Sequence, residues 1–482
     1  MSENKNTHSQ GSISWFNIGI TVLVYTVLSV FCQAVGYSLI IPLLLLILGV
    51  QMFYLNKASF KMFLNLGLLL VLIVFTTNAV IQYTALSVFY VPVAGIAMLV
   101  MLLFNDLQVA FIMSFASSIL VSLIAGGDFG MMLIFFIGSL PGVYAVRGSR
   151  TRGKLMVAGL FVSVMHLVCL FLLTPKFSIL FQNDYTNQYL YPLAVNGFLC
   201  VMLVLGTLKV FEFLFNVLTN YSLLELSDFN QPLLKRMIVE APGTYHHSMM
   251  VSNLSEAAAD TIGANALLTR VGAYYHDIGK MVKPEYFTEN QLIGGNKHDN
   301  IEPSMSRLVI LNHVKEGIAL AKKNKLNQKI IDFIPQHHGT SIIHFFHQKA
   351  MEAAEGGKPI DESDFRYPGP KPQIRETAIV LLADSVEGAI RSLDEANPKK
   401  IEEMVKKIIN NKFIDGQLDE CNLTLKEIDK ISATFTRILA AMYHGRIKYP
   451  EKKTSNGNNH RKSSEKTSTQ PSSDNKDCRK DS

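Results

Sequence analysis

A chain of 482 residues has room for two or three domains, and 49% apolar against 17% charged residues lean away from a purely soluble protein, where about a quarter are charged. The net charge of +6 gathers in a short loop at 147–154 and in the C-terminal tail, as in membrane-flanking and disordered segments, so no DNA or RNA polymer is expected as a partner. Cys32, Cys169, Cys200, Cys421 and Cys478 lie far apart with no CxxC pair, which excludes a zinc knuckle or disulfide framework and reads as free thiols in a reducing compartment.

Residues 1–14 read as a cytoplasmic N-terminus. A spanning helix needs about 20 mostly apolar residues. Candidates run near 15–34, 38–54, 62–82, 88–104, 107–125, 129–146, 155–174 and 190–214, the second and sixth being short. The first is no cleavable signal peptide, because no small-residue cleavage site follows and more spans come at once. "RGSRTRGK" puts Arg147, Arg150, Arg152 and Lys154 in one loop, which the excess of positive charge on inner loops assigns to the cytoplasm. Lys57 and Lys61 mark a weaker inner loop. Counting eight spans from an inner N-terminus puts both loops inside and the 175–189 loop, with Lys176 its one basic residue, outside. The C-terminal half then lands in the cytoplasm.

Within the spans, Asp106 and Asp128 fall at helix ends, and Pro92 and Pro141 read as kinks or helix starts. His166 is the one ionisable side chain well inside a span. Such a group is a functional suspect, yet a lone histidine there is more simply a hydrogen-bonded packing residue than a proton relay. With so few mid-membrane charges, the bundle over 15–216 reads as an anchor and sensor rather than a transporter.

From 217 to 449 the sequence reads as a soluble, all-helical domain. Asp228 can cap a helix starting at Gln231–Pro232, and "APGT" breaks it. From Tyr245, Met249, Met250, Leu254, Ala257 and Ala258 recur at helical spacing, placing His246 and His247 in a first turn. "NALLTRVGAYYHDIGK" predicts a second helix ending at His276–Asp277, with Gly279 as its stop. "SMSRLVILNHVKEGIALAKKN" predicts a third, amphipathic, with His313 at its middle. "NQKIIDFIPQHHGTS" gives a fourth ending at His337–His338. "KPQIRETAIVLLADSVEGAIRSL" gives a fifth with Asp384 between apolar neighbours. The 450–482 tail, rich in Ser, Lys and Asn, is expected to be disordered.

Seven potential ligands thus lie at helix ends or on helix faces of one segment: His247, His276, Asp277, His313, His337, His338 and Asp384. A lone histidine is usually an ordinary polar residue, and an HD pair arises often by chance. Their joint occurrence is much harder to dismiss. Imidazole and carboxylate without thiolate suit Mn2+, Fe2+ or Zn2+. Seven ligands are too many for one ion and fit two divalent metal ions, with Asp277 able to bridge them and a bridging water made acidic enough to attack phosphorus.

In this order "YHHS", "HDIGK", "HV", "QHHGT" and "LLADSVEGA" resemble the HD-domain phosphohydrolase superfamily. The longer stretches "EAPGTYHHSMMVSNLSEAAA", "YYHDIGKMVKPEYFTENQ", "HDNIEPSMSRLVILNHVKEG", "FRYPGPKPQIRETAIVLLADSVEGA" and "HGRIKYP" resemble the membrane-bound seven-helix HD proteins of the PgpH type, bacterial cyclic di-AMP phosphodiesterases. The resemblance is dense over 220–449 and looser over the bundle. It implies an all-α chain: a polytopic helical membrane bundle followed by a cytoplasmic all-helical HD phosphohydrolase domain, in the bacterial inner membrane. It also implies the same seven metal ligands, His246 not among them, and two ions, Mn2+ or Fe2+. Asp277 and Lys280 take catalytic roles, with Lys280 steadying a substrate phosphate. The "RYPGPKP" loop, 366–372, either borders the nucleotide through Arg366 and Tyr367 or is a rigid connector.

One departure stands out. The family's large extracytoplasmic domain between the first span and the other seven is missing, since only "VGY" separates Ala34 from Ser38. The expected reaction is hydrolysis of a cyclic dinucleotide, cyclic di-AMP to linear pApA. Cyclic di-GMP or another nucleotide is an alternative, although the GYP signature of the related HD-GYP proteins is absent. A non-catalytic nucleotide-binding membrane receptor is another. A homodimer is compatible with the sequence.

Overall fold

The computed structural model describes residues 60–174, 182–291, 297–353, 361–393 and 397–443. The first two expected spans, the "VGY" junction, Lys57, Lys176 and the C-terminal tail lie outside the described residues. Helices α1 (Phe60–Tyr83), α2 (Val93–Phe104), α3 (Leu107–Ile124), α4 (Phe129–Val146), α5 (Arg152–Leu173) and α6 (Tyr191–Phe215) form the bundle. Among the described residues, five helical runs are long and apolar enough to cross a membrane, the last counted from Asn183. The exception is α2. Pro92 has no N–H to donate and stands at its N-cap, so the expected 88–104 span becomes a 3₁₀ turn and a 12-residue helix. Among the described spans, the fourth rather than the sixth is therefore the shortest.

Helix α2 is also central, packing against α3, α4 and α6 with every residue from Val93 to Leu103 buried. Helices α5 and α6 meet backbone to backbone: a Cβ on Gly197 would stand 1.9 Å from Gly159 O, the close approach that small residues allow in membranes. Outward, Phe75, Leu160, Leu172 and Phe213 are exposed, an apolar surface suited to lipid. Asp106 and Asp128 cap α3 and α4 by accepting backbone N–H bonds from Gln108 at 2.9 Å and Gly130 at 2.8 Å, and Pro141 lies inside α4. His166 is fully buried, edge-on to Phe135. Neither ring nitrogen has a hydrogen-bond partner, so it packs without the hydrogen bond the sequence suggests.

At the end of α6, Asn216 takes a left-handed turn and buried Glu212 accepts from the hydroxyls of Thr219 and Ser222. The C-terminal half then runs through α7 (Asn220–Leu226), α8 (Pro232–Glu240), α9 (Pro242–Thr261), α10 (Ala266–Tyr275), a 3₁₀ turn (Ile278–Val282) and α11 (Pro303–Lys323). It continues through α12 (Gln328–Ile331), α13 (Phe333–Gln336), α14 (His344–Ala353), α15 (Arg375–Arg391), α16 (Pro398–Ile414) and α17 (Leu425–Tyr443). No strand occurs among the described residues, only an isolated bridge between Ile342 and Arg366. The chain is all-α, as expected. Helix α15 is the hub, packing against α9, α10, α13 and α16 with Thr377 to Ala383 buried without a break.

Local details differ from expectation. Asp228 does not cap α8, whose N-cap is Gln231. Its carboxylate closes the preceding turn by accepting from Asn230 N at 2.9 Å. Helix α9 begins at Pro242, since proline at the first helical position loses no hydrogen bond, so His247 sits in its second turn. The fourth expected helix is split at Asp332 into α12 and α13.

Candidate metal centre

Five segments deliver the seven expected ligands. His247 comes from α9, His276 and Asp277 from the end of α10, His313 from α11, His337 and His338 from the end of α13, and Asp384 from α15. The approach of the 3₁₀ turn to α11 depends on Gly279. A Cβ there would lie 1.8 Å from His313 O and 2.5 Å from Gly317 N. The glycine is thus not the expected helix stop but the residue that lets the turn rest on α11, bringing Asp277 to His313.

The side chains form two groups, His247, His276, Asp277 and Asp384 in one, Asp277, His313, His337 and His338 in the other, each with ligand atoms within 4.8 Å of one another. Asp277 belongs to both. Its Oδ2 is 3.1 Å from His276 Nε2 and 3.6 Å from His247 Nε2. Its Oδ1 is 3.5 Å from His313 Nε2 and 3.6 Å from His337 Nε2. One oxygen faces each group, as a bridging carboxylate requires. Asp384 spans the same divide, with Oδ1 3.0 Å from His247 Nε2 and Oδ2 3.8 Å from His338 Nδ1.

The donor set fits divalent cations. His276 Nε2, His313 Nε2, His337 Nε2 and both Asp277 oxygens are buried without hydrogen-bond partners. Native interiors rarely leave buried polar atoms so, and here they converge. Lys280 Nζ approaches Asp277 Oδ2 to 2.8 Å but without the alignment of a hydrogen bond. The opposite ring nitrogens are engaged: Nδ1 of His276, His313 and His337 contacts the carbonyls of Ala273 (2.6 Å), Ile310 (2.5 Å) and Phe333 (3.1 Å), and His247 Nδ1 contacts Glu387 Oε2 (2.5 Å). Donation at Nδ1 leaves Nε2 free to ligate, the usual arrangement of metal-binding imidazoles.

Charge states agree with that chemistry. Burial pushes the His313 pKa down to about 4 and lowers His338 strongly, so both rings stay neutral. Burial would raise Asp277 and Asp384. The Lys280 charge beside the first, and the hydrogen bond and charge of His247 beside the second, hold both well below the usual carboxylate range. For His247, burial is outweighed by Asp384 and Glu387, and its pKa rises to about 9. Proton and cation compete for that nitrogen.

Lys280 is clamped between Asp277 and Glu289, 2.8 Å from each, with its ammonium 5.1 Å from the Phe287 ring centre. Burial disfavours its charge, but Asp277, Glu289 and Asp384 more than compensate and raise its pKa. Tyr367 stacks on His338, ring centres 4.1 Å apart. Arg366 pairs with Glu362 at 2.6 Å and Asp415 at 2.9 Å and lines a neighbouring cleft. His246 is exposed. Sequence reasoning missed Glu387 and Glu289. Glu387 stands three residues past Asp384 on α15, a helical spacing that points to the same face. Glu289 lies in a three-residue 3₁₀ turn, Thr288–Asn290, too short for any periodicity to mark it.

Two family models match in tandem: residues 31–219 match "7TM receptor with intracellular HD hydrolase" and residues 244–389 match "HD domain". Cyclic-di-AMP phosphodiesterase PgpH of Bacillus subtilis is 41% identical over 373 residues, covering 75% of this chain and 51% of that protein. The Listeria monocytogenes protein of the same name is 41% identical over 377 residues, covering 77% and 52%. The chain spans about half the length of these curated relatives. The crystal structure of the L. monocytogenes PgpH HD domain in complex with cyclic-di-AMP matches with 50% identity and a TM-score of 0.44, covering 45% of this chain and 100% of that one. The two models match in that order, and over three quarters of its length the chain is similar to membrane proteins that carry an intracellular HD hydrolase.

Proposed function

We propose that the chain is a membrane-anchored, metal-dependent phosphodiesterase that opens cyclic di-AMP to linear pApA at a two-metal centre on the cytoplasmic face of a bacterial membrane. The observation that carries this reading is Asp277, a buried carboxylate with one oxygen toward each of two ligand groups. The membrane bundle over 15–216 anchors a phosphohydrolase domain over 217–449. The adenine assignment is supported by the names of the two relatives.

Two divalent ions, Mn2+ or Fe2+, held by His247, His276, Asp277 and Asp384 and by Asp277, His313, His337 and His338, would acidify a water and draw charge from the scissile phosphate. The chain's own groups prepare that chemistry. Carbonyls and Glu387 fix the imidazole tautomers. Lys280 steadies Asp277 and places a permanent positive charge beside the phosphate that reacts. Tyr367 covers the outer face of His338, and with Arg366 it borders the space for the nucleotide.

The test is turnover of cyclic di-AMP and cyclic di-GMP, side by side, by the full chain in detergent with Mn2+. Cyclic di-AMP should be converted to pApA, and His276→Ala or Asp277→Ala should abolish conversion. Undiminished activity in either variant sinks the assignment, and preference for cyclic di-GMP overturns the choice of base.

A further inference from the structure

Beside the metal centre, a cleft of about 610 Å³ opens between the 341–347 segment, the Glu362–Arg366 turn, α15 and the end of α16, within the roughly 300–1,000 Å³ of small-molecule sites. It adjoins the centre directly. Ser385 in its wall follows Asp384, and Arg366 at its rim precedes Tyr367, which stacks on His338.

The two cations lining it differ in their commitments. Arg366 is held by two carboxylates and also donates to Thr340 O at 2.9 Å. Lys412, in the last turn of α16, donates to Ser341 Oγ at 2.7 Å and pairs with no carboxylate among the described residues. Burial lowers its pKa, against the opposing influence of Asp384 and Asp415. A half-buried ammonium with a hydroxyl for company is poorly compensated until an anion joins it.

We propose that Lys412, positioned by Ser341, binds the second, non-scissile phosphate of the cyclic dinucleotide while the first lies at the metal centre. This rests on the phosphodiesterase reading. A cyclic dinucleotide carries two phosphodiesters in one ring, so a site that reacts at one must accommodate the charge of the other. Lys412 is the cation in the adjoining cleft that no carboxylate neutralises, and a compact ammonium is suited to a phosphate oxygen. It therefore selects for ligands with two phosphates and takes no part in breaking the bond.

The experiment compares cyclic di-AMP with the p-nitrophenyl ester of thymidine 5′-phosphate, a diester with a single phosphate, using the Mn2+-loaded full chain in detergent. Lys412→Gln should raise KM for cyclic di-AMP about tenfold or more, with kcat and single-phosphate turnover changed less than about threefold, and Lys412→Arg should restore most of the loss. An unchanged KM in Lys412→Gln, or equal losses on the two substrates, overturns the proposal. If Lys412→Gln does not fold, the wild type decides: its KM for cyclic di-AMP should climb more steeply with salt than its KM for the single diester, and equal slopes overturn the idea. A wild type that cleaves the single diester but not cyclic di-AMP defeats the functional reading itself, a separate outcome.

Discussion

At the scale of single residues, the side chains that converge on the candidate centre were legible because each sits in a short motif whose residue types suit metal ligation. The residues that orient them were less so. Glu387 holds His247 Nδ1 from another helix, and its place in "LLADSVEGA" looks like one more polar step on an amphipathic helix. Lys412 is further from view, as its proximity to Asp384 exists only once α16 packs on α15. Outer partners of metal-binding imidazoles commonly carry a factor of about 10–100 in metal affinity. Glu387→Ala should accordingly weaken Mn2+ binding by about that factor, read as metal per chain during titration with a competing chelator. Occupancy equal to wild type would mean that His247 is oriented by other contacts.

At the scale of elements, helical periodicity located α9, α10, α11 and α15 well, and the errors have local causes. Pro92 shortens a span because a proline cannot donate within a helix. Asp332 divides α12 from α13, although the apolar spacing runs across both. Gly279 is the instructive case. Sequence reading gives a glycine after a helix the role of a stop, whereas its function here is a contact with a segment more than thirty residues away, invisible to any local pattern. Gly279→Ala should force the 3₁₀ turn off α11, costing about 1–3 kcal/mol in stability and separating Asp277 from His313. Thermal unfolding together with metal content would register both effects, and a variant with wild-type values for each would remove Gly279 from the construction of the site.

At the scale of the molecule, the buried apolar residues among those described form one core of the bundle, ending at Phe215, a second in the C-terminal half, beginning at Leu223, and a small satellite of Phe346, Ala350 and Phe365. The change in composition near residue 217 predicts two units, whereas no local pattern marks α15 as the hub or α2 as enclosed by its neighbours. Because all seven candidate ligands belong to the second half, ions bound there should stabilise that half selectively. At a free ion concentration one hundred times Kd the gain is about 2.7 kcal/mol per site. Calorimetry of the protein in detergent, with Mn2+ and then with excess chelator, should show the hydrolase transition moving down and that of the bundle staying. Equal displacement of both would mean that the two cores unfold as one.

The carbonyl partners of the imidazoles bear on how the centre comes together in time. His276, His313 and His337 each lean on a carbonyl three or four residues earlier in their own segment, so these rings acquire their direction as each helix forms, before any two helices meet. His247 depends instead on Glu387, 140 residues away, and is aimed only when α9 docks on α15. During refolding with Mn2+, ion capture by the α10, α11 and α13 ligands should precede protection of the α15 amides from hydrogen exchange, and simultaneous onset would refute this order. If that order holds, the folding chain should pass through a species in which the α10, α11 and α13 group can hold an ion while the other group still lacks His247.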